Sequence, residues 1–259
     1  MPAPPPVILL PPSEGKAPAG DGPPVQWDGG VFGPALGRAR MEVRDAVRQA
    51  LCAPGMADTL LGVRGAHLER ALAEWEHLDI ASTLPAATRY SGVVWGALGG
   101  DSLPTTARRR LLARVVVPSG LWGLVAARDP IPAYRVKMAA RVPPLGLLAT
   151  WWRPLVTAAL VTRARRSVVM DLLPQEHAAS IDVAAFRPGG HVRVEIVDEG
   201  PAGRRSVGHA GKSLKGALAR AMLLNDARTV SDLTGLVVAG LGPGRVEDDG
   251  RAVVFTRTG

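Results

Sequence analysis

The sequence contains very few cysteine and aromatic residues. Cys52 is the single cysteine among 259 residues. One cysteine excludes a disulfide framework or a cysteine-based metal site within one chain, which suits a reducing compartment. Aromatic residues make up only 4% of the chain. That is too few for the series of stacking platforms with which proteins hold single-stranded nucleic acid.

Long apolar runs and targeting signals are also scarce. The opening MPAPPPVILLPP has no basic segment, and its apolar run is too short for a signal peptide. The most apolar window, Leu145–Val161, is interrupted by Arg153 and Pro154, so we do not predict a membrane span. We therefore expect a cytoplasmic protein with no membrane partner.

A surplus of positive charge is the first informative feature that is present. Lys and Arg number 31 against 23 Asp and Glu, which gives a formal net charge of +8. Hydrophobic residues at 47% and charged residues at 21% indicate a soluble globular chain rather than a disordered one. A balance this basic favours polyanionic partners such as nucleic acid, nucleotides or anionic membrane, without choosing among them.

Strand and helix patterns alternate along the chain. Val7–Leu10 is an apolar run between prolines, which is typical of a buried strand. Further strands are predicted at 115–117, 167–172, 191–198, 205–207 and 253–255. Helices are predicted at 40–53, 58–76, 101–114, 151–164 and 229–233, and within 206–224 after a turn at Gly208 and Gly211. Residues 17–37 are rich in Gly and Pro and are predicted to form an irregular loop. This order predicts one mixed α/β or α+β domain over residues 1–259, with a central sheet and surrounding helices.

The stretch Ser206–Leu224 places a row of cations opposite an apolar face. At helical spacing Lys212, Lys215 and Arg220 fall on one arc, with Gly216 between them. A position without a side chain would let an anion approach the backbone closely, near the partial positive charge of the helix start. The alternative is an ordinary solvated helix face.

A second candidate for phosphate binding lies in residues 58–76. Two helical patterns are joined there by Leu60–Gly65, which resembles a helix–hairpin–helix, a motif whose backbone N–H groups grip one phosphate. An ordinary helix–turn–helix packing pair fits the residues about as well. The cluster Arg108–Arg110 on the 101–114 helix adds further cations.

Polar side chains gather where predicted strands and turns end. Ser13, Glu14 and Lys16 follow the first strand, Asp171 closes the strand 167–172, and His209 precedes the basic helix. A lysine among other cations has a lowered pKa and can serve as a base or nucleophile, while a carboxyl or imidazole group can move protons. A surface turn and a strand-capping acid are the alternatives.

The pair Tyr134-Arg135 is a candidate anion contact, because a positioned arginine beside a tyrosine can bind a phosphate or carboxylate. A salt-bridged surface arginine is the alternative. The five histidines do not share metal-ligand spacing with one another or with acid pairs. We therefore expect neither a metal nor another cofactor, and we expect a monomer.

Seven short motifs follow one another along the chain. They are PPSEGK at 11–16, YSGVVW at 90–95, SGLWGL at 119–124, IPAYR at 131–135, WW at 151–152, VVMDL at 168–172, and HAGKSLKG at 209–216 followed by Arg220. Together, and over almost the whole chain, they resemble the YaaA family of peroxide stress proteins. The chain departs from that family's usual pattern at Trp95, at Ala210 and Gly211, and between Pro174 and His177, which leaves a different ligand open.

The resemblance implies a cytoplasmic protein of the oxidative stress response that limits damage associated with hydrogen peroxide and unincorporated iron. It also implies a single-domain mixed fold with a basic cleft, and binding to double-stranded DNA has been attributed to a member. The positions that match the cleft are Lys212, Lys215, Arg220, Tyr134 and Arg135, and those that match the opening loop are Ser13 and Lys16.

Two functions are therefore expected as alternatives. The first is non-specific binding of double-stranded DNA, or of another phosphate-bearing ligand, through the basic cleft. Its candidate contacts are Lys16, Tyr134, Arg135, Lys212, Lys215 and Arg220, with the Arg108–Arg110 cluster. The second is an enzyme acting on a small anionic substrate such as a nucleotide or nucleobase. Its candidate residues are Ser13, Glu14, Lys16, Asp171, His209 and Lys212. Both functions require the cations to gather on one concave surface.

Overall fold

The first strand, β1 (Val7–Leu9), lies inside an eight-stranded sheet with a neighbour on each side. The computed structural model describes residues 3–18, 20–200 and 203–258, with the side chains of Ser206 and His209 outside the description. All three residues of β1 are buried. A strand covered on both faces reads as an unbroken apolar run, which is why Val-Ile-Leu rather than an alternating pattern occurs here.

The sheet is mostly parallel. Its other strands are β3 (Val115–Ser119), β4 (Gly123–Ala126), β8 (Val169–Asp171), β9 (His191–Gly200), β10 (Gly203–Ser206), β11 (Arg245–Glu247) and β12 (Ala252–Thr256). The order is β11-β12-β9-β8-β1-β3-β4, with β10 paired to β9. Strands β3, β1, β8, β9 and β12 run parallel to one another, while β4, β10 and β11 are antiparallel additions. Two small ribbons pair β2 (Leu84–Pro85) with β5 (Pro130–Ile131) and β6 (Arg141–Val142) with β7 (Gly146–Leu147).

Helices surround the sheet. They are α1 (Gly33–Leu51), α2 (Ala57–Leu61), α3 (Ala66–Glu76), α4 (Ala86–Arg89), α5 (Val93–Leu98), α6 (Thr105–Arg114), α7 (Leu148–Arg163), α8 (Gln175–Ala178), α9 (His209–Leu224) and α10 (Val230–Thr234). Helix α9 packs against α5 and α6, and α7 packs against α1 and β4. The prediction of a single mixed α/β domain with a central sheet and surrounding helices is confirmed.

The predicted loop at 17–37 is correct for its first part and wrong for its last. Helix α1 begins at Gly33, so residues 33–37 are helical. The start of this helix packs directly on the preceding loop: a Cβ on Gly33 would lie 1.8 Å from the carbonyl oxygen of Asp28, and one on Gly37 would lie 2.8 Å from the Asp28 Cα. These glycines signal close packing, and Pro34 is tolerated because it stands in the first helical turn.

The paired helices predicted within 58–76 are present as α2 and α3. The turn between them contains Gly62 and Gly65, which have φ angles of 65° and 55°, a backbone region that favours glycine. The phosphate-gripping role of this helix pair stays a prediction. Across the described residues, every helix falls short of the length and hydropathy that crossing a bilayer requires.

Candidate anion site at the carboxyl ends of the strands

Three strands of the parallel sheet end at the same edge, and the candidate site residues lie at or just beyond these strand ends. Leu9 of β1 is in register with Val116 of β3 and with Asp171 of β8. The segment after β1 leads to Ser13, Glu14 and Lys16, and β3 ends at Ser119. Because the carboxyl ends of parallel strands form the usual ligand crevice of an open α/β sheet, this edge is the natural place for a site.

Lys16 folds back toward the protein interior. Its amine donates a hydrogen bond to the carbonyl oxygen of Ser13 at 2.8 Å. It also lies 4.3 Å from the ring centre of Tyr134 and 5.7 Å from that of Tyr90, a cation–π arrangement. The pKa of Lys16 falls to about 7, chiefly because of burial; Glu74 opposes this shift and Arg135 contributes to it. A substantial fraction of these amines is therefore neutral near physiological pH.

A chain of buried hydroxyl groups lies beneath the amine. The Tyr134 hydroxyl is 2.8 Å from that of Tyr90 and 2.7 Å from Ser119 Oγ. Ser119 Oγ accepts hydrogen bonds from the N–H groups of Leu121 and Trp122, so its own proton is free to be donated to Tyr134. Burial raises the pKa of Tyr134 to about 12 and raises that of Tyr90 well above its usual value. Both phenols therefore stay protonated at neutral pH.

Ser13 packs closely against the backbone of Gly92, the residue before α5. A Cβ on Gly92 would lie 2.1 Å from Ser13 Oγ, so this approach requires a residue with no side chain. One turn further along α5, the indole N–H of Trp95 donates to the carbonyl oxygen of Pro11 at 3.0 Å. These two contacts fix the path of the chain between β1 and Lys16.

Glu14 and Arg135 form the outer part of the site. Arg135 Nη2 donates to Glu14 Oε2 at 2.8 Å, and its Nε donates to the carbonyl oxygen of Leu61 at 3.0 Å. Lys137 Nζ lies 3.3 Å from the other carboxylate oxygen of Glu14. Burial raises the pKa of Glu14, but Lys137 and Arg135 outweigh that effect and lower the pKa overall. We call the group Ser13, Glu14, Lys16, Tyr90, Ser119, Tyr134, Arg135 and Lys137 the Lys16 cluster.

Asp171 is the centre of a second group, at the end of β8. It is buried and accepts hydrogen bonds from the Leu173 N–H at 2.8 Å and from Arg193 Nη1 at 3.0 Å. His191 Nε2 lies 3.2 Å from Asp171 Oδ2, at ion-pair distance but without hydrogen-bond geometry. Burial raises the pKa of Asp171, but His191 and Arg193 outweigh it and lower the pKa overall.

Lys215 reaches the same strand end from α9. Its amine donates to the carbonyl oxygens of Leu172 at 2.8 Å and Leu173 at 3.2 Å. Burial lowers the pKa of Lys215 to about 8, and the neighbouring Arg193 lowers it as well, while Asp171 raises it. Lys215 thus caps the backbone beyond β8 rather than pointing outward from the helix.

The interpretation of Gly216 as a gap for an anion is wrong. A Cβ on Gly216 would lie 2.2 Å from the carbonyl oxygen of Val94, so the backbone of α5 occupies this position. Arg220, predicted on the same cationic face, donates to the carbonyl oxygens of Leu98 at 2.9 Å and Gly99 at 3.0 Å. Lys212 is exposed.

The contacts of the predicted site residues therefore fall into separate groups. Ser13, Glu14, Lys16, Tyr134 and Arg135 come together, Asp171 and Lys215 form the second group, and Arg220 binds the end of α5. His209 begins α9, and its side chain lies outside the described residues. In the Arg108–Arg110 cluster, Arg110 Nε lies 3.3 Å from Asp226 Oδ1 and its Nη1 donates to the carbonyl oxygen of Leu223. One basic cleft stays a prediction.

Several site residues were not assigned a role from the sequence. Tyr90 and Ser119 belong to motifs of the family resemblance, so their position in those motifs was a usable signal. No sequence signal pointed to Lys137 or Arg193. The residues around each form no motif, and the contacts of both side chains are with distant segments of the chain. Among the described residues, no group of three or more His, Cys, Asp or Glu side chains could hold a metal ion.

Comparison with known proteins agrees with the family resemblance. The family model described as "Peroxide stress protein YaaA" matches residues 7–242. The chain belongs to this family. It is 36% identical over 223 residues to a UPF0246 protein of Streptomyces coelicolor, which covers 84% of this chain and 82% of that relative. A UPF0246 protein of Corynebacterium glutamicum is 33% identical over 247 residues, covering 90% of this chain and 94% of that relative. Membership in the YaaA family supports a role related to peroxide stress.

Proposed function

We propose that this YaaA family member binds a small anionic molecule of the nucleotide or nucleobase class at the Lys16 cluster and acts on it as an enzyme. The observation that carries the proposal is the position of the half-buried Lys16 amine against the rings of Tyr134 and Tyr90, whose hydroxyl groups are hydrogen-bonded to each other; desolvation there lowers the pKa of the amine to about 7. A group tuned to titrate near neutral pH at the carboxyl edge of a parallel sheet is characteristic of a functional site.

The residues of the cluster divide naturally into two roles. In its neutral form the Lys16 amine accepts a proton or attacks an electrophilic carbon, and in its charged form it donates to an anion. Arg135 and Lys137 supply positive charge at the outer rim, where both pair with the single carboxylate of Glu14. An anionic ligand would compete with Glu14 for these two cations. The Glu14 carboxylate therefore occupies the position that the negative group of the ligand would take.

Ligand-dependent thermal stabilisation tests this proposal. Nucleoside monophosphates, free nucleobases and inorganic phosphate are each titrated into wild-type protein, Lys16→Met and Lys212→Met. Binding to the folded state raises the midpoint of unfolding. We expect a shift with at least one nucleotide or nucleobase in wild type and Lys212→Met, and its loss in Lys16→Met. No shift with any probe, or the same shift in both variants, would contradict the proposal.

Non-specific binding of double-stranded DNA is the second proposed function. The net charge of +8 supports it, as do the exposed side chains of Lys212, Arg108 and Arg109. Such cations displace the counterions that surround a duplex. Arg135, Lys215 and Arg220 are less suitable contacts than the sequence suggested, because each already has an internal partner.

A further inference from the structure

The buried hydroxyl chain contains one proton more than it has acceptors. Ser119, Tyr134 and Tyr90 bring three hydroxyl protons, but they are joined by two contacts only, of 2.7 Å and 2.8 Å. Ser119 Oγ accepts hydrogen bonds from the N–H groups of Leu121 and Trp122, which uses both of its lone pairs. Its own proton therefore goes to Tyr134, and one of the two phenol protons is left without an acceptor among the described residues.

The remaining phenol proton is buried. Tyr90 and Tyr134 are each 2% exposed. Burial also raises the pKa of both phenols, so neither loses its proton at neutral pH. A buried donor without an acceptor destabilises a protein, and such donors in folded proteins are normally paired with the chain, with water or with a ligand. The hydroxyl chain therefore needs an acceptor atom from outside the polypeptide.

The Lys16 amine lies close to the same two phenols. Lys16 and Tyr90 are directly opposed in an isolated antiparallel bridge, an arrangement that puts both side chains on one face. The amine is 5.7 Å from the ring centre of Tyr90 and 4.3 Å from that of Tyr134. Within the described part of the chain, its one hydrogen-bond acceptor is the carbonyl oxygen of Ser13. Lys16 and the tyrosine pair therefore have unused donors close together.

The neighbouring carboxylates do not use up these donors. Glu74 and Glu14 both raise the pKa of Lys16 through their charge, but among the described residues neither forms an ion pair with its amine. Glu14 is instead shared by Arg135 Nη2 at 2.8 Å and Lys137 Nζ at 3.3 Å. A ligand whose negative group replaces Glu14 at these two cations has its uncharged part next to Lys16 and the tyrosines, where it meets donors.

We propose that the Lys16 cluster selects nucleotides whose base presents a carbonyl oxygen to the tyrosine pair, such as those of hypoxanthine and uracil, over the amino-substituted counterparts of adenine and cytosine. A carbonyl oxygen accepts the remaining phenol proton. An amino group in the same place is itself a donor, so it leaves that proton unpaired. The inference rests on the proposed function, because it names the members of that ligand class which the site accepts.

The phenol pair, rather than Lys16, is the discriminating group. A charged Lys16 amine also favours a carbonyl oxygen, but the neutral amine offers a lone pair that an amino group can use. The phenols have no such second form at neutral pH, since the pKa of each is raised by burial. Substitution of the tyrosines is therefore the sharper test of selectivity.

Calorimetric titration with matched nucleotides tests this selectivity. Inosine and adenosine monophosphates form one pair, and uridine and cytidine monophosphates form the other; the members of each pair exchange an oxo for an amino group. In wild-type protein we expect the dissociation constant of each oxo nucleotide to be at least about tenfold lower than that of its amino counterpart. Ribose phosphate, which has no base, is the probe for the outer rim alone.

Substitution of both tyrosines locates the discriminating group. The double variant with Tyr90→Phe and Tyr134→Phe removes both phenol protons, so the two members of each pair should bind it with the same dissociation constant. Ribose phosphate should bind the double variant as it binds wild type. Trp151→Phe is the matched control and should keep the wild-type ratio, because Trp151 packs against Trp152 outside the Lys16 cluster.

The outcomes separate this inference from the proposed function. Equal dissociation constants within each pair in wild type would overturn the inference and leave the proposed function standing, because water alone would then satisfy the phenol proton. Tighter binding of the amino nucleotides, or an unchanged ratio in the double variant, would overturn the inference as well. If no nucleotide binds wild type, the proposed function and the inference fail together. The wild-type comparison stays decisive if the double variant does not fold.

Discussion

Gly216 of α9 lies so close to Val94 of α5 that a Cβ on Gly216 would be 2.2 Å from the Val94 carbonyl oxygen. Backbone contact therefore sets the separation of these two helices. We predict that Gly216→Ala forces them apart and destabilises the protein by about 1–3 kcal/mol, measured as a lower urea midpoint.

The matched control for this substitution lies in the partner helix. Gly96 of α5 has no atom within 4 Å of a built Cβ. Gly96→Ala should therefore stabilise the protein by about 0.5–1 kcal/mol through helix propensity alone. If the two substitutions shift the urea midpoint in the same direction, backbone contact at Gly216 does not limit the packing of the helices.

The same helix shows what the sequence could and could not predict. The spacing of apolar residues correctly predicted a helical run with an apolar face ending at Leu224, but the turn predicted at Gly208 and Gly211 is too long, because α9 already begins at His209. The spacing of apolar residues describes one helix in isolation, however, and does not identify the elements packed against it. Lys215 finds the carbonyl oxygens beyond β8, and Arg220 finds those at the end of α5. Both contacts depend on tertiary packing between distant segments, so the supposed solvated face was only partly solvated.

More of the Lys16 cluster could be predicted from the sequence. Ser13, Glu14 and Lys16 follow a strongly apolar strand, and strand ends are where parallel sheets collect polar groups. Tyr134 and Arg135 were predicted as an anion-binding pair, with a salt-bridged arginine as the alternative; the structure places them beside Lys16 and shows Arg135 paired with Glu14. The hydroxyl chain through Ser119 could not be predicted, because its members come from three segments that only the folded sheet brings together.

Lys16 makes stability depend on pH in a defined window. Its pKa falls from 10.5 to about 7 on folding, so between these values the unfolded chain binds more protons than the folded one. Stability must then rise with pH across this window, by up to about 1.4 kcal/mol per pH unit. We predict that Lys16→Met flattens that rise, measured by urea unfolding between pH 7 and 10. Lys212→Met, at an exposed position, should keep the wild-type slope; equal slopes in wild type and Lys16→Met would show that the amine is not desolvated.

Asp226 makes the opposite contribution at low pH. Hydrogen bonds from Arg228 and Arg114 lower the pKa of Asp226 to about 2, from 3.8. Its contribution is therefore fully present above pH 3.8 and lost as the pH falls toward 2. We predict that Asp226→Asn destabilises the protein by about 1–2 kcal/mol at pH 7 and that the difference from wild type shrinks below pH 4. Asparagine suits the positive φ of this residue, 56°, so the substitution isolates the charge.

A control for Asp226 is Asp101, whose side chain is 89% exposed and lies 4.0 Å from Arg108. Asp101→Asn should change the urea midpoint by less than the equivalent of ~0.5 kcal/mol at any pH. If Asp226→Asn behaves like Asp101→Asn, the arginines around Asp226 do not stabilise the fold.

The two proposed functions respond differently to salt. If the protein binds duplex DNA, the logarithm of its affinity should fall linearly with the logarithm of salt concentration, by about 0.9 in slope for each phosphate contacted. Fluorescence anisotropy with a short labelled duplex measures this slope.

We predict that Lys212→Ala reduces the slope by about 0.9, the value for one phosphate contact, because Lys212 is exposed. Lys16→Met should leave the slope unchanged, because the Lys16 amine is turned inward onto Ser13. A flat slope in wild type would exclude phosphate neutralisation, and a slope that falls in Lys16→Met but not in Lys212→Ala would place the duplex at the strand ends instead of on α9.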